Sequence, residues 1–399
     1  MATNAPPSKV LRKVLCLDDF EPLARRHLPP PVFGYIAGAA ETNQSYRANR
    51  SSFSEYEFIP RALVDISQRS QAASILGQTF AAPFGIAPLG LSALSAYRGD
   101  IVLAKAARDA RIPMIMSGSS LIRLEEVIKV NPDAWFQAYL PGEERAIVAL
   151  IERVFAAGFK TLVITVDTPV AANRENNVRA GFSTPIRPSM RLAWQGTSHP
   201  RWLFGTFART LVRHGMPHFE NNYATRGAPI VSPTVERDFS DRGHLTWKDV
   251  EMIRRIWPGN LVIKGILSKR DASIARDIGA NAIVVSNHGG RQLDGAIAPL
   301  RVLPEIVAAC TEIPVMLDSG IRRGTDVLKA IALGAKFVFV GRPFGYAAAV
   351  GGQAGVAHAI SLLSAEVSRN MAMLGVNAVS DLRAEDSLYR VNLVDSAHC

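Results

Sequence analysis

Residues 286–294 read SNHGGRQLD, directly after the apolar run Ala282-Ile283-Val284-Val285. A buried strand that ends on a His, two Gly and an Arg presents a proton acceptor and a cation together. Those groups suit a site that removes a proton and holds a carboxylate. Other apolar runs end on reactive groups too: Gln137 and Tyr139, Thr165 and Asp167, Lys264, Asp318, and Arg342. A ring of such residues on successive strand ends points to a built site. A second signal lies in Asp318-Ser319-Gly320-Ile321-Arg322-Arg323-Gly324 and Gly341-Arg342-Pro343. Glycine amides, a helix N-terminus and cations on consecutive strands suit a phosphate. With Lys264 nearby, this implies a phosphorylated cofactor. Flavin mononucleotide (FMN) fits, and on the residues alone pyridoxal phosphate competes with it. No GxGxxG follows a strand, which argues against a dinucleotide in a Rossmann half.

The elements that must position these groups alternate. Strand-like runs are read at Phe84–Gly90, Pro113–Gly118, Ala134–Leu140, Thr161–Thr168, Leu261–Ile266, Ala282–His288, Pro314–Gly320 and Phe337–Pro343. They are almost continuously apolar, as strands buried on both faces are. Helical spacing fills the intervals, at Asp100–Arg111, Leu121–Val130, Glu143–Ala157, Thr246–Ile256, Lys269–Ile278, Leu300–Thr311 and Gly324–Leu333. Eight such alternations predict an α/β fold, a (β/α)8 TIM barrel, with a doubly wound open sheet as the rival. Residues 1–83 form an N-terminal helical extension, with helices near Leu17–Leu28 and Val32–Gly38. Residues 84–375 form the barrel, 170–245 a long insertion after strand four, and 376–399 a C-terminal tail.

The chain has 399 residues, is 48% hydrophobic and carries a formal net charge of +10. That balance favours anionic partners. No nucleic-acid motif accompanies it, so nucleic acid is not an expected partner. Cys16, Cys310 and Cys399 are scattered, which fits a reducing cytoplasm, and no spacing suggests a metal site. No uninterrupted apolar stretch predicts a signal core or a transmembrane helix. Residues 176–219 hold no Asp or Glu, while Arg187, Arg191, Arg201, Arg209 and Arg213 recur there. Leu203, Phe207 and Leu211 fall on one helical face behind Trp202. That is a basic amphipathic helix, suited to an anionic bilayer surface or to packing on the barrel. The expected membrane-binding segment is about 187–220.

SNHGGRQLD resembles the active-site motif of the FMN-dependent 2-hydroxy acid dehydrogenases and oxidases. VFGYIAGAAE, IAPLG, WFQAY, TVDTP, IKG, DSGIRRGTD and VGRP follow in the family's order, and the likeness runs from about residue 17 to 375. The motifs come nearest to (S)-mandelate dehydrogenase. The resemblance implies that His288 is the base and that Asp167 pairs with it. It implies that Arg291, Arg174, Tyr35 and Tyr139 bind the substrate. It places Pro88, Leu89, Gly90, Ser117, Gln137, Thr165 and Ser286 around the flavin ring and Lys264 at the ring's polar edge. It places Asp318 on the ribityl chain, and Gly320, Arg322, Gly341 and Arg342 on the phosphate.

The resemblance further implies oxidation of an L-2-hydroxy acid to a 2-oxo acid. His288 takes the hydroxyl proton as hydride leaves C2, or takes the C2 proton to give a carbanion; the residues leave both open. Gly90, where family members often carry Ala, and the small residues of MSGSS imply room for a bulky, mandelate-like substrate. SHPRW and LVRHGMP resemble the membrane-binding segment of mandelate dehydrogenase. The expected acceptor is therefore a quinone or another membrane electron carrier. The expected location is cytoplasmic, peripheral on the inner face of the cytoplasmic membrane. The alternatives are an oxidase that uses dioxygen and an L-lactate dehydrogenase. A homo-oligomer, a tetramer by resemblance, is also expected. An IMP dehydrogenase-like enzyme is disfavoured because no cysteine falls in a barrel loop.

Overall fold

Buried β-branched and aromatic residues build one parallel sheet. The computed structural model of the chain describes residues 9–183, 189–232 and 242–391. The strands are β1 Phe84–Ile86, β2 Ile115–Ser117, β3 Trp135–Ala138, β4 Thr161–Thr165, β5 Asn260–Ile266, β6 Ala282–Val285, β7 Val315–Asp318 and β8 Phe337–Val340. Each of β2 to β8 pairs in parallel with its sequence neighbours, and β8 pairs with β1. The ring closes where Ile86 bridges Met114 and the Ile86 N–H donates to the Pro113 carbonyl. The expected TIM barrel is the fold observed. Leu162, Val163, Ile164, Val262, Ile263, Ile283 and Val284 are fully buried, which is why their runs are apolar without alternation.

Most strands stop two to four residues before the apolar and polar pattern suggests. At β6 and β7 the reason is backbone conformation at the rim. His288 and Ser319 have φ of 57° and 81°, in the left-handed region where a ladder cannot continue. The expected helices follow their strands, with bounds shifted by up to three residues. The helix Trp247–Ile256, for example, is capped by Thr246, whose backbone N–H donates to Asp249 at 2.7 Å. An eighth helix not read from the pattern, Arg342–Leu374, follows β8 directly. It is the one described helix long and apolar enough to cross a membrane. It breaks at Gly352, where φ is 55°, and packs against the helices Gly99–Ala110 and Phe20–His27.

The N-terminal segment carries the helices Phe20–His27, Pro30–Ala37 and Gln44–Ser51. It also carries short strands. Ala73–Ile75 pairs with Gln78–Phe80, and Tyr56–Phe58 pairs antiparallel with Leu388–Arg390 near the C-terminus. The insertion between β4 and β5 holds the helices Glu175–Arg179 and Met190–Thr197, then a helical run from Pro200 to His214. The middle of that run, Leu203–Ala208, is a π-helix, which widens the turn and rotates the faces. Trp202, just before it, points inward: its indole N–H donates to the Leu94 carbonyl at 2.7 Å, and its ring stacks on Phe207. Leu203 and Phe207 pack partly on the core, whereas Phe204 is 71% exposed. Arg187, one of the basic residues singled out above, lies outside the described residues.

Candidate active site

The C-terminal ends of the strands open into a cavity of about 910 Å³. Of the residues singled out from sequence, Tyr35, Pro88, Leu89, Gly90, Tyr139, Thr165, Arg174, Lys264, His288, Arg291, Asp318, Gly320, Arg322, Gly341 and Arg342 line it. The other four stand directly behind. Asp167 holds His288, Ser286 holds Lys264, and Ser117 donates to Gln137 at 3.3 Å.

His288, Gly289 and Gly290 have φ of 57°, 67° and 74°, three left-handed residues in a row. That turn ends β6 and swings the imidazole back over the barrel. A Cβ on Gly290 would stand 2.6 Å from the Tyr46 backbone nitrogen, so the close approach needs glycine there. The His288 backbone N–H donates to Ser286 Oγ at 3.0 Å, and Gly289 N–H donates to Ser319 Oγ at 3.0 Å. Asn287 and Asn49 exchange amide hydrogen bonds at 2.7 and 2.8 Å, pinning the motif to the helix Gln44–Ser51. Asp294 accepts from the Thr42 hydroxyl and from the Thr42 and Ser45 backbone N–H groups. Burial raises its pKa, but those hydrogen bonds outweigh it and bring the carboxyl down to about 2.

His288 Nδ1 lies 3.0 Å from Asp167 Oδ1, and Nε2 lies 3.4 Å from the Tyr139 hydroxyl. Burial lowers the imidazole pKa, and Lys264 and Arg174 lower it further, outweighing Asp167. The ring is therefore neutral at physiological pH. An Nδ1–H that donates to Asp167 leaves the Nε2 lone pair facing Tyr139. Asp167 is itself held below its ordinary value: burial raises it, but His288 and Lys264 outweigh that. Lys264 is buried 3.0 Å from Asp318 and donates to Ser286 Oγ at 2.9 Å. Burial alone would lower its pKa, yet Asp318 and Asp167 raise it, so it stays charged.

The arginines meet the C-terminal carbonyls of the helix Pro30–Ala37. Arg291 donates to Tyr35, Ile36 and Gly38 carbonyls, and Arg342 to Ile36, Gly38 and Gly289 carbonyls. Helix ends leave such carbonyls unpaired, and cations satisfy them. Arg322 sits 3.4 Å from Asp18. A Cβ on Gly320, where φ is 91°, would meet the Asn49 carbonyl oxygen at 2.1 Å. The Tyr35 ring packs against Phe182 with centroids 4.7 Å apart. Its hydroxyl stands 2.8 Å from where a Gly90 Cβ would be.

Several participants escaped the sequence reading. Asn49, Asn287, Ser319, Gln292 and Asp294 act through partners far away in the chain. Phe182 lies in the insertion, where no periodicity marks it. Asn287, Gln292 and Asp294 were visible as polar members of the motif, and only that.

A family model described as FMN-dependent dehydrogenase matches residues 24–389. This chain belongs to that family. The (S)-mandelate dehydrogenase of Pseudomonas putida is 36% identical over 367 residues, 92% of each chain. An L-lactate oxidase of Nostoc sp. is 41% identical over 374 residues, 92% of this chain and 96% of the relative. An L-lactate dehydrogenase of Xanthomonas campestris pv. campestris is 39% identical over 382 residues, 94% and 96% of the two chains. Among solved structures, the monotopic membrane protein (S)-mandelate dehydrogenase superposes with a TM-score of 0.86 at 34% identity. That match covers 95% of this chain and all of the other.

As an FMN-dependent dehydrogenase the chain is an oxidoreductase, and FMN is its cofactor. The cavity fits that group. Gln137 Nε2 and Thr165 Oγ1 are buried without a protein partner, as donors to a ligand would be. At the far side, the helix Arg342–Leu374 points its N-terminus at the cavity beside Arg322 and Gly320, where an anion belongs.

Proposed function

We propose that this enzyme oxidises an L-2-hydroxy acid with a bulky, mandelate-like side chain to the 2-oxo acid. The observation that carries the reading is the His288 imidazole, braced by Asp167 at Nδ1 and turned with Nε2 towards Tyr139 in the cavity. Bound FMN supplies a two-electron acceptor. His288 Nε2 takes the substrate proton, and Asp167 stabilises the imidazolium that results. Tyr139 and Tyr35 hydrogen-bond the hydroxyl and carboxylate, and Arg174 and Arg291 bind the carboxylate as guanidinium forks do. Pro88, Leu89, Gly90, Ser117, Gln137, Thr165 and Ser286 would surround the cofactor ring. Lys264 would meet its polar edge and Asp318 the ribityl chain. Gly320, Arg322, Gly341 and Arg342 would hold the phosphate.

The electrons go to a quinone or another membrane carrier. Met190, Trp194, Phe204 and Val212 are 91%, 74%, 71% and 86% exposed on the insertion, among Arg191, Arg201, Arg209 and Arg213. Apolar side chains interleaved with arginines, without a carboxylate, suit a peripheral site on an anionic bilayer. The relative with the TM-score of 0.86 is a monotopic membrane protein, which supports the same reading. The test is reoxidation. Flavin reduced anaerobically by substrate is mixed with air or with a soluble quinone. Fast reaction with quinone and slow reaction with air support the dehydrogenase; fast reaction with air replaces it with the oxidase.

A further inference from the structure

Gln292 lines the cavity and has no part in the mechanism above. Its side chain joins separate pieces of the site. Nε2 donates to the Asp167 carbonyl at 3.1 Å, and Oε1 accepts from Arg174 Nη2. Arg174 Nε in turn donates to the Arg291 carbonyl at 3.2 Å. Asp167 follows β4 and Gln292 follows β6, whereas Arg174 stands at the N-terminus of the helix Glu175–Arg179 in the insertion. The amide therefore ties an insertion residue to two edges of the barrel rim.

We infer that Gln292 is a positioning residue that presents the Arg174 guanidinium to the substrate carboxylate. The inference rests on the proposed role of Arg174. A free arginine side chain samples many rotamers, and a ligand that must order it binds less tightly. One edge of this guanidinium is already fixed by the Gln292 oxygen and the Arg291 carbonyl, so its planar fork is aligned before substrate arrives. The carboxylate does not react, so its contacts are equal in the bound substrate and the transition state. Losing the alignment then raises KM and leaves kcat in place. A role through the Asp167 main chain would behave differently, because it would disturb His288 and move kcat and its pH profile.

The FMN-loaded enzyme is compared with Gln292→Met, Gln292→Ala, Arg174→Met and the double variant Gln292→Met/Arg174→Met. Met keeps the length of Gln and removes both hydrogen bonds. KM and kcat are measured with (S)-mandelate and with L-lactate, and the Kd of mandelate's 2-oxo acid is read from the flavin spectrum. FMN content and melting temperature report folding. Both single Gln292 variants are expected to raise KM and Kd about tenfold, with kcat within about twofold and an unmoved pH profile. In the Arg174→Met background, Gln292→Met should add nothing further. An unchanged KM in the Gln292 variants overturns the inference. So does a fall in kcat with a shifted pH profile, or a full additive effect in the double variant. If Arg174→Met itself leaves KM unchanged, the carboxylate role of Arg174 fails first, and the inference fails with it.

Discussion

His288 is held in a left-handed conformation, largely buried and braced by a carboxylate, and each of these conditions would serve the proposed proton transfer. Its depressed pKa gives a sign to the pH dependence. The base works when neutral, so the decline of flavin reduction with falling pH should be centred below the ordinary histidine pKa. A decline centred at or above the ordinary histidine pKa would contradict the assignment. Gly90 makes a second prediction. A Cβ there presses on the Tyr35 hydroxyl at 2.8 Å, and Phe182 behind the ring limits its retreat. Gly90→Ala should lower kcat/KM for mandelate about tenfold more than for lactate, as a methyl in a tight pocket does. Equal losses for both acids would show that Gly90 does not select on side-chain size. The groups now seen around His288 were largely legible in the sequence, because one short motif carries them and strand ends must face the mouth. Their supports were not. Asn49 is paired with Asn287 across most of the chain, and no local pattern announces a partner so far away.

At the level of elements, the barrel was legible because buried strands and amphipathic helices leave distinct periodicities. Strand ends were less so, since His288 and Ser319 at the rim leave the ladder for reasons of conformation that composition does not record. The π-turn in the Pro200–His214 run was also invisible in the sequence. One helix carries a stability prediction. Asp100 lies in the first turn of Gly99–Ala110, fully buried, with one carboxyl oxygen unpartnered. Burial pushes its pKa up from 3.8 to about 6, with the nearby Ser92 and Ser120 hydroxyls pulling the other way. The folded state thus binds this proton more tightly than the unfolded state. The contribution of Asp100 is full below pH 3.8 and is lost as pH rises towards 6. Asp100→Asn should remove that loss. Measured by denaturant unfolding, the variant should gain on the parent between pH 4 and 6, levelling off at roughly 3 kcal/mol or less. A stability difference that does not change with pH would contradict it.

For the whole molecule, the insertion carries the proposed membrane contact. Its exposed Trp194 and Phe204 sit on a surface rich in arginine, whereas Trp202 is committed to the barrel. Trp194→Asp with Phe204→Asp should abolish sedimentation with anionic phospholipid vesicles. Turnover with a soluble acceptor should persist, because neither residue lines the cavity. Unchanged vesicle binding would remove the membrane role and leave the chemistry standing. That chemistry is tested most directly by anaerobic mixing of the FMN-loaded enzyme with (S)-mandelate and with L-lactate while the flavin's visible absorption is followed. At least one acid should bleach the flavin and yield one equivalent of 2-oxo acid. His288→Ala, with FMN still bound, should not bleach. No bleaching by either acid in the parent enzyme, or equal bleaching in His288→Ala, would contradict the account.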